Sequence, residues 1–341
     1  MNAGAECDRI LRRKRDLKIL FIFTGGTIGS TDEGGVRSVD GGKPYKIIEA
    51  YRGRFGIDFE YDVAEPFCEL SENLTGEHIK EIVRAVKAGL ALDYDGIILS
   101  HGTDTLQYSA AAIGFALGQN TAPVCIISAN APIESEMSNG LINLRAAVEF
   151  IRCGAGRGVF SIYANCDKIL AHRGTRLAPP IPFSDRAESI FEAEYGSFDG
   201  KLLFTKNPKY KEASDKILPL SAEGLSCAAE DILVLTPYVG MRYPDLYGVK
   251  YVIMNTYHSG TLDVKSAAAR EFYRLARECG ARVFAVGVLE GLDYSSTAEY
   301  SELGILPLKN ISPIAAYMKL WLLSSAGRSP EELLLPLSGD L

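Results

Sequence analysis

Along the chain, short apolar runs alternate with windows in which apolar residues recur every three or four positions. The runs at 18–23, 95–100, 123–128 and 159–164 have strand length. Between them, residues 77–90 place Ile79, Ile82, Val83, Val86 and Leu90 on one helical face. Windows 105–118 and 139–152 repeat that period, which predicts amphipathic helices. Strand–helix alternation of this kind implies βαβ units and a parallel sheet. A polar stretch from about 195 to 229, with "KNPKYKEASDK" at its centre, breaks the pattern. It then resumes with "ILVLTPYVGM", "KYVIMNTY" and "RVFAVGVL", separated by helical windows such as 266–279. A last helix, 311–326, carries Trp321. At 341 residues the chain exceeds one ordinary core, so two domains are expected. The expected plan is α/β throughout: an N-terminal domain over 1–200, a linker over 201–229 and a smaller C-terminal domain over 230–341.

Composition narrows the partners. A net charge of −7 argues against nucleic acid or an anionic membrane surface. No run approaches the ~20 apolar residues of a membrane span. The basic stretch Arg12-Arg13-Lys14-Arg15 ahead of Ile19–Phe23 faintly mimics a signal peptide. The apolar core is too short, Lys18 abuts it and glycines follow instead of a small-residue cleavage site, so a first strand is expected. The 7 cysteines are scattered with no CxxC pair, as in a cytoplasmic protein whose thiols stay reduced. His78, His101, His172 and His258 lack ligand neighbours at metal spacing, so neither metal nor cofactor is expected.

Ligands of open parallel sheets bind at the carboxyl ends of the strands, and two such ends are chemically loaded here. The first is "ILFIFTGGTIGS", an apolar strand followed by Thr24-Gly25-Gly26-Thr27. A glycine pair lets the backbone turn sharply and presents N–H groups to a carboxylate or oxyanion. A tight turn that merely needs glycine is the plainer alternative. The second is "ILSHGTDTLQYS" at 98–109. Thr103, Asp104 or Thr105 would serve as helix caps, and His101 as a packed core histidine. Capping accounts for one or two of these residues, not for all of them beside a Gly-Gly-Thr. There is no GxGxxG, Walker A or GxSxG sequence. Adjacent His258 and Ser259 on one strand end cannot face each other as a catalytic pair.

"TGGTI" at 24–28 and "HGTDT" at 101–105, in this order and both at strand ends, resemble the bacterial-type L-asparaginase/glutaminase family, type I branch. The similarity runs on through "SANAPIESEMSNGLINLRAA" (128–147) and more faintly through "YANCDKILAHRGTR" (163–176). It implies the two-domain asparaginase architecture and hydrolysis of asparagine to aspartate and ammonia. On this resemblance Thr27 is the nucleophile, and Thr103 with Asp104 activates the attacking group and holds substrate. Ser71 and Glu72 grip the α-carboxylate and α-amine, and the Ala129 carbonyl meets the amide. Two positions depart from the pattern. The family's lysine after an "RGNR"-like segment falls on Pro179 or, with a gap, on Arg176, which carries charge but cannot accept a proton. Lys168 lies upstream. The loop tyrosine after the first motif has Tyr45 as its nearest candidate. The resemblance further implies a homodimer or homotetramer, with a neighbour's C-terminal domain closing each site near Tyr257–Thr261. Two alternatives stand beside asparagine hydrolysis: action on another small amide, such as glutamine, and a catalytically weak amino-acid-binding protein.

Overall fold

The computed structural model describes residues 17–26, 30–33, 36–39, 45–119, 121–166, 168–291 and 294–341. An eight-stranded sheet carries the N-terminal half, in the order β10-β9-β8-β7-β6-β5-β1-β4. Its parallel centre is β1 (Leu17–Phe23), β4 (Phe59–Ala64), β5 (Gly96–Ser100), β6 (Val124–Ile127) and β7 (Val159–Asn165). Helices α1 (Tyr45–Phe55), α2 (Gly76–Leu90), α3 (Leu106–Leu117) and α4 (Gly140–Arg152) cover its faces. Strands β8 (Lys168–Arg173), β9 (Gly196–Phe198) and β10 (Phe204–Lys206) extend one edge antiparallel. Ser30–Glu33 and Val36–Val39 pair as a separate hairpin, β2 and β3.

Alternation along the strands decides which residues meet which helices. Leu20 and Ile22 of β1, Ile97 and Leu99 of β5, and Val124 and Ile126 of β6 face α2 and α3. Their sequence neighbours Ile19, Phe21, Ile98, Cys125 and Ile127 face α1 and α4. Each strand is thus buried on both sides, which is why the sequence reads there as unbroken apolar runs.

The C-terminal half is a four-stranded parallel sheet, β11-β12-β13-β14, formed by Ile232–Leu235, Tyr251–Asn255, Arg282–Val288 and Ile305–Lys309. Helix α5 (Ala267–Cys279) packs on one face through Phe272, Tyr273 and Ala276. On the other lies α6 (Pro313–Ser325), which also packs on α3, with Tyr108 and Tyr317 edge to face at 6.1 Å. The apolar cluster beneath α3 therefore continues without interruption to Ile253, Phe284, Val286 and Leu308 of the small sheet. The final residues are drawn in by Lys319, a fully buried cation whose Nζ lies 2.5 Å from the equally buried Asp340 carboxylate.

The stretch expected to be a linker is not a bare tether. It opens with β10, and its buried Tyr210, Leu220, Ala222 and Leu225 pack against the core clusters. The widely spaced apolar positions there fill gaps without forming a periodic element.

Candidate active site

The site is built where β1, β5 and the segment before α2 end together. Thr24 leaves β1 with its hydroxyl donating to the Ser100 carbonyl at the end of β5, 2.9 Å away. Gly25 then bridges to Glu69, whose N–H donates to the Thr24 carbonyl at 3.0 Å. Both glycines hold positive φ, 100° and 80°. A Cβ on Gly25 would lie 2.3 Å from the Glu69 carbonyl oxygen, and one on Gly26 would lie 2.4 Å from the Gly102 nitrogen. Only glycine lets these three backbones close to this separation. The "TGG" and "HGT" motifs are therefore in direct backbone contact. Thr27, next in the chain, lies outside the described residues.

His101 is a structural residue of this junction. Its Nδ1 is 2.8 Å from the Gly102 carbonyl, which can only accept, so Nδ1 carries the proton. Nε2 then accepts from the Ser109 hydroxyl at 2.7 Å. Complete burial pushes its pKa down to about 4, so the ring is neutral. Of the two readings the sequence left open for this histidine, the packed one holds.

The capping reading of the neighbouring residues does not. Thr105 occupies the N-cap position of α3, but its hydroxyl caps no helical N–H. It donates instead to the Ser71 carbonyl at 2.7 Å. That bond draws the Ser71–Asn73 turn onto the strand end, where Ser71 is buried and its Oγ sits 3.5 Å from the Asp104 carboxylate. Thr103 is half-buried and Asp104 exposed, both at the mouth of a cleft of about 520 Å³. Glu72, beside Ser71, is exposed. Ala129 is fully buried at the end of β6, and the adjoining Asn130 lines the same cleft. Asn143 of α4 fixes this loop by donating to the Ser128 carbonyl at 2.9 Å and accepting from the Ala164 N–H at 2.8 Å.

Ser71, Thr103 and Asp104 thus converge, with Glu72 and Ala129 alongside. The remaining candidates do not join them. Arg176 is turned to the C-terminal segment: Nε donates to the Gly339 carbonyl at 2.6 Å and Nη2 to that of Leu341 at 3.0 Å. Its short 3-10 turn, Gly174–Arg176, packs against α3, and none of the three residues is among those lining the cleft. Lys168 begins β8 and is exposed. Tyr45 opens α1, half exposed, and is not among the residues lining the cleft. Among the described lining residues the cation is Arg186, which pairs with Glu188 at 3.2 Å.

Sequence reasoning missed the rest of the cleft. Its floor is Gln107, Ser128 and Ser161, and one wall is the 180–187 loop. A signal existed: a lone serine or histidine inside the apolar runs "VFSIYAN" and "ILAHR" breaks the strand pattern on one face. Among the described residues, no group of three or more His, Cys, Asp or Glu is placed to hold a metal ion, and no helix is long and apolar enough to cross a membrane.

A parallel-sheet domain whose Gly-Gly and Thr-Asp strand ends meet backbone to backbone, joined to a small parallel α/β domain, is the two-domain asparaginase fold. The L-asparaginase of Thermococcus kodakarensis superposes with a TM-score of 0.76 at 23% identity, over 95% of this chain and 99% of that one. L-asparaginase I of Vibrio cholerae does so with 0.71 at 21%, over 94% and 96%. A Thermofilum pendens protein, named as a subunit of glutamyl-tRNA(Gln) amidotransferase, is 25% identical over 342 residues, 93% of this chain and 72% of that protein. Residues 18–178 match the family described as Asparaginase, N-terminal. Over residues 18–178 the chain is thus similar to the N-terminal domain of the asparaginase family, and nearly its whole length shares the fold of solved L-asparaginases.

Proposed function

We propose that this chain hydrolyses L-asparagine to L-aspartate and ammonia, with Thr27 as nucleophile. The observation that carries the reading is the backbone contact between Gly26 and Gly102, which joins the strand end carrying the first motif to the one carrying Thr103 and Asp104. A threonine hydroxyl needs help to lose its proton. Thr103 and Asp104 supply that help, and backbone N–H groups of the glycine turn stabilise the tetrahedral oxyanion. Asp104 with Ser71 and Glu72 holds the substrate's α-groups, and the Ala129 carbonyl receives the amide. No lysine lines the described cleft, and Arg186 cannot relay a proton, so turnover is slow for an enzyme of this kind. The protein works in the cytoplasm as a homodimer or homotetramer, with one domain over roughly 1–200 and a second over 230–341.

A second reading has a specific support. The relative named for its part in an amidotransferase favours glutamine or a related amide, and a partner that uses the ammonia. A catalytically weak amino-acid binder is the third. An ammonia-release assay over asparagine, glutamine and related amides separates them. Thr27→Ala and Thr103→Val should each lower kcat by about 10²-fold or more, with aspartate binding retained in Thr27→Ala. Unchanged ammonia release by Thr27→Ala sinks the nucleophile assignment.

A further inference from the structure

We infer that the cleft between Thr103–Asp104 and the 180–187 loop binds a neutral, hydrogen-bonding extension on the substrate's amine nitrogen. The preferred substrate is then an asparagine-like amide that carries a substituent on its α-amine nitrogen. This rests on the amidohydrolase reading but is separable from it by binding.

The floor of the cleft is the first support. Ser128 Oγ, Ser161 Oγ and Gln107 Oε1 are buried and have no hydrogen-bond partner among the described residues. Residues 128 and 161 are 0% and 1% exposed, and Gln107 7%. His172 pairs directly with Ser161 across β7 and β8, so the two side chains leave the same face of the sheet. Its Nδ1 is engaged by the Ser189 hydroxyl at 2.8 Å, which leaves Nε2 without a partner as well. Buried polar atoms are paired almost everywhere in folded proteins, and several orphans on one face of one cleft point to a missing partner.

That partner is uncharged. Two hydroxyls and a carboxamide oxygen carry no formal charge, and burial pushes the His172 pKa down to about 4, so its ring is neutral too. A carboxylate or phosphate would find no counter-charge on this floor. Hydroxyl or amide groups would find donors and acceptors in alternation. The wall opposite carries the exposed Ile181 and Phe183 ahead of Ser184, Asp185 and Arg186, the last already paired with Glu188, and Phe183 holds the strained φ of 64°. A polar floor facing Ile181 and Phe183 suits a polyol-like chain, with its hydroxyls down and its C–H face toward those two side chains. The volume of about 520 Å³ lies within the range of ligand pockets and exceeds what an amino acid fills. Asp104 stands at the mouth, so a substituent on an amine held there enters the cleft.

The test uses aspartate, Nα-(1-deoxyglucityl)-aspartate and Nα-hexyl-aspartate as calorimetric probes of the whole protein, and the matching asparagines in the ammonia assay. The glucityl compound should bind roughly 10- to 100-fold tighter than aspartate, the gain expected of one or two added hydrogen bonds to waiting buried groups. The hexyl compound should show no such gain. Ser128→Ala/Ser161→Ala should abolish the preference and leave aspartate affinity within about threefold. The variant removes unpaired hydroxyls, so folding should not suffer. Equal binding of glucityl-aspartate and aspartate overturns the inference, as does a preference that survives the double substitution or is matched by the hexyl compound. Glucityl preference in binding with no ammonia from any amide supports the subsite and removes the hydrolase reading.

Discussion

Acidification from pH 7 to 5 will destabilise this protein steeply, and two histidines account for the slope. His101 and His172 are completely buried, and burial lowers both pKa values from 6.5 to about 4. The unfolded chain takes up a proton at each below pH 6.5, whereas the native state resists until about pH 4. Stability is therefore complete above 6.5 and lost as the pH falls through that window. At pH 5 the linkage relation gives about 2 kcal/mol for each histidine and about 4 kcal/mol together. That is a large share of the ~5–15 kcal/mol by which native domains are stable. Urea denaturation at pH 7, 6 and 5 measures the loss. His172→Asn should roughly halve the slope, since it removes one of the two titrating rings. A stability that changes by less than about 1 kcal/mol between pH 7 and 5, or a slope untouched by His172→Asn, refutes the assignment of both rings as buried and neutral.

Gly26→Ala should cost at least about 2 kcal/mol, from positive φ and from the added Cβ against the Gly102 backbone, and should abolish turnover; a denaturation curve with parallel kinetics reads both. Thr105→Val removes the hydroxyl that holds the Ser71 carbonyl, so KM for the amide should rise several-fold while kcat changes little. Lys319→Met should destabilise by about 3–5 kcal/mol because it strands the buried Asp340, and adding Asp340→Leu should recover most of that loss; a double-mutant cycle by urea midpoint decides.

The central strands and the helices between them were legible because each had a strong period: β1, β5, β6 and β7 fall within a residue or two of the apolar runs that announced them. Strand β4, "FEYDVA", alternates with charged residues, and β9 and β10 are three residues each, so neither stood out from loop. At the candidate site, Thr103 and Asp104 were singled out because the HGTDT motif contains them, and Ser71 because the resemblance points to it; Ser71 and Asp104 lie 3.5 Å apart. Arg176 misled for a physical reason. It follows β8, and the turn after that strand sends its guanidinium to the carbonyls of residues 339 and 341, a contact between distant parts of the sequence that no local pattern encodes. The polar floor was hidden for a similar reason. Ser128 follows β6, Ser161 lies in β7 and Gln107 in α3, and only the fold brings these distant positions to one cleft.

The packing of α6 against α3 also sets a schedule for synthesis. The apolar flank of Leu106–Leu117 is completed by Pro313–Ser325, which leaves the ribosome roughly 200 residues later. At ~5–20 residues per second, that flank stays wet for about 10–40 s in every nascent chain. During that interval a sticky, half-covered sheet must be shielded, by slow codons downstream or by a holding chaperone, and shortage of either would show as aggregation of newly made protein with no defect in the finished molecule.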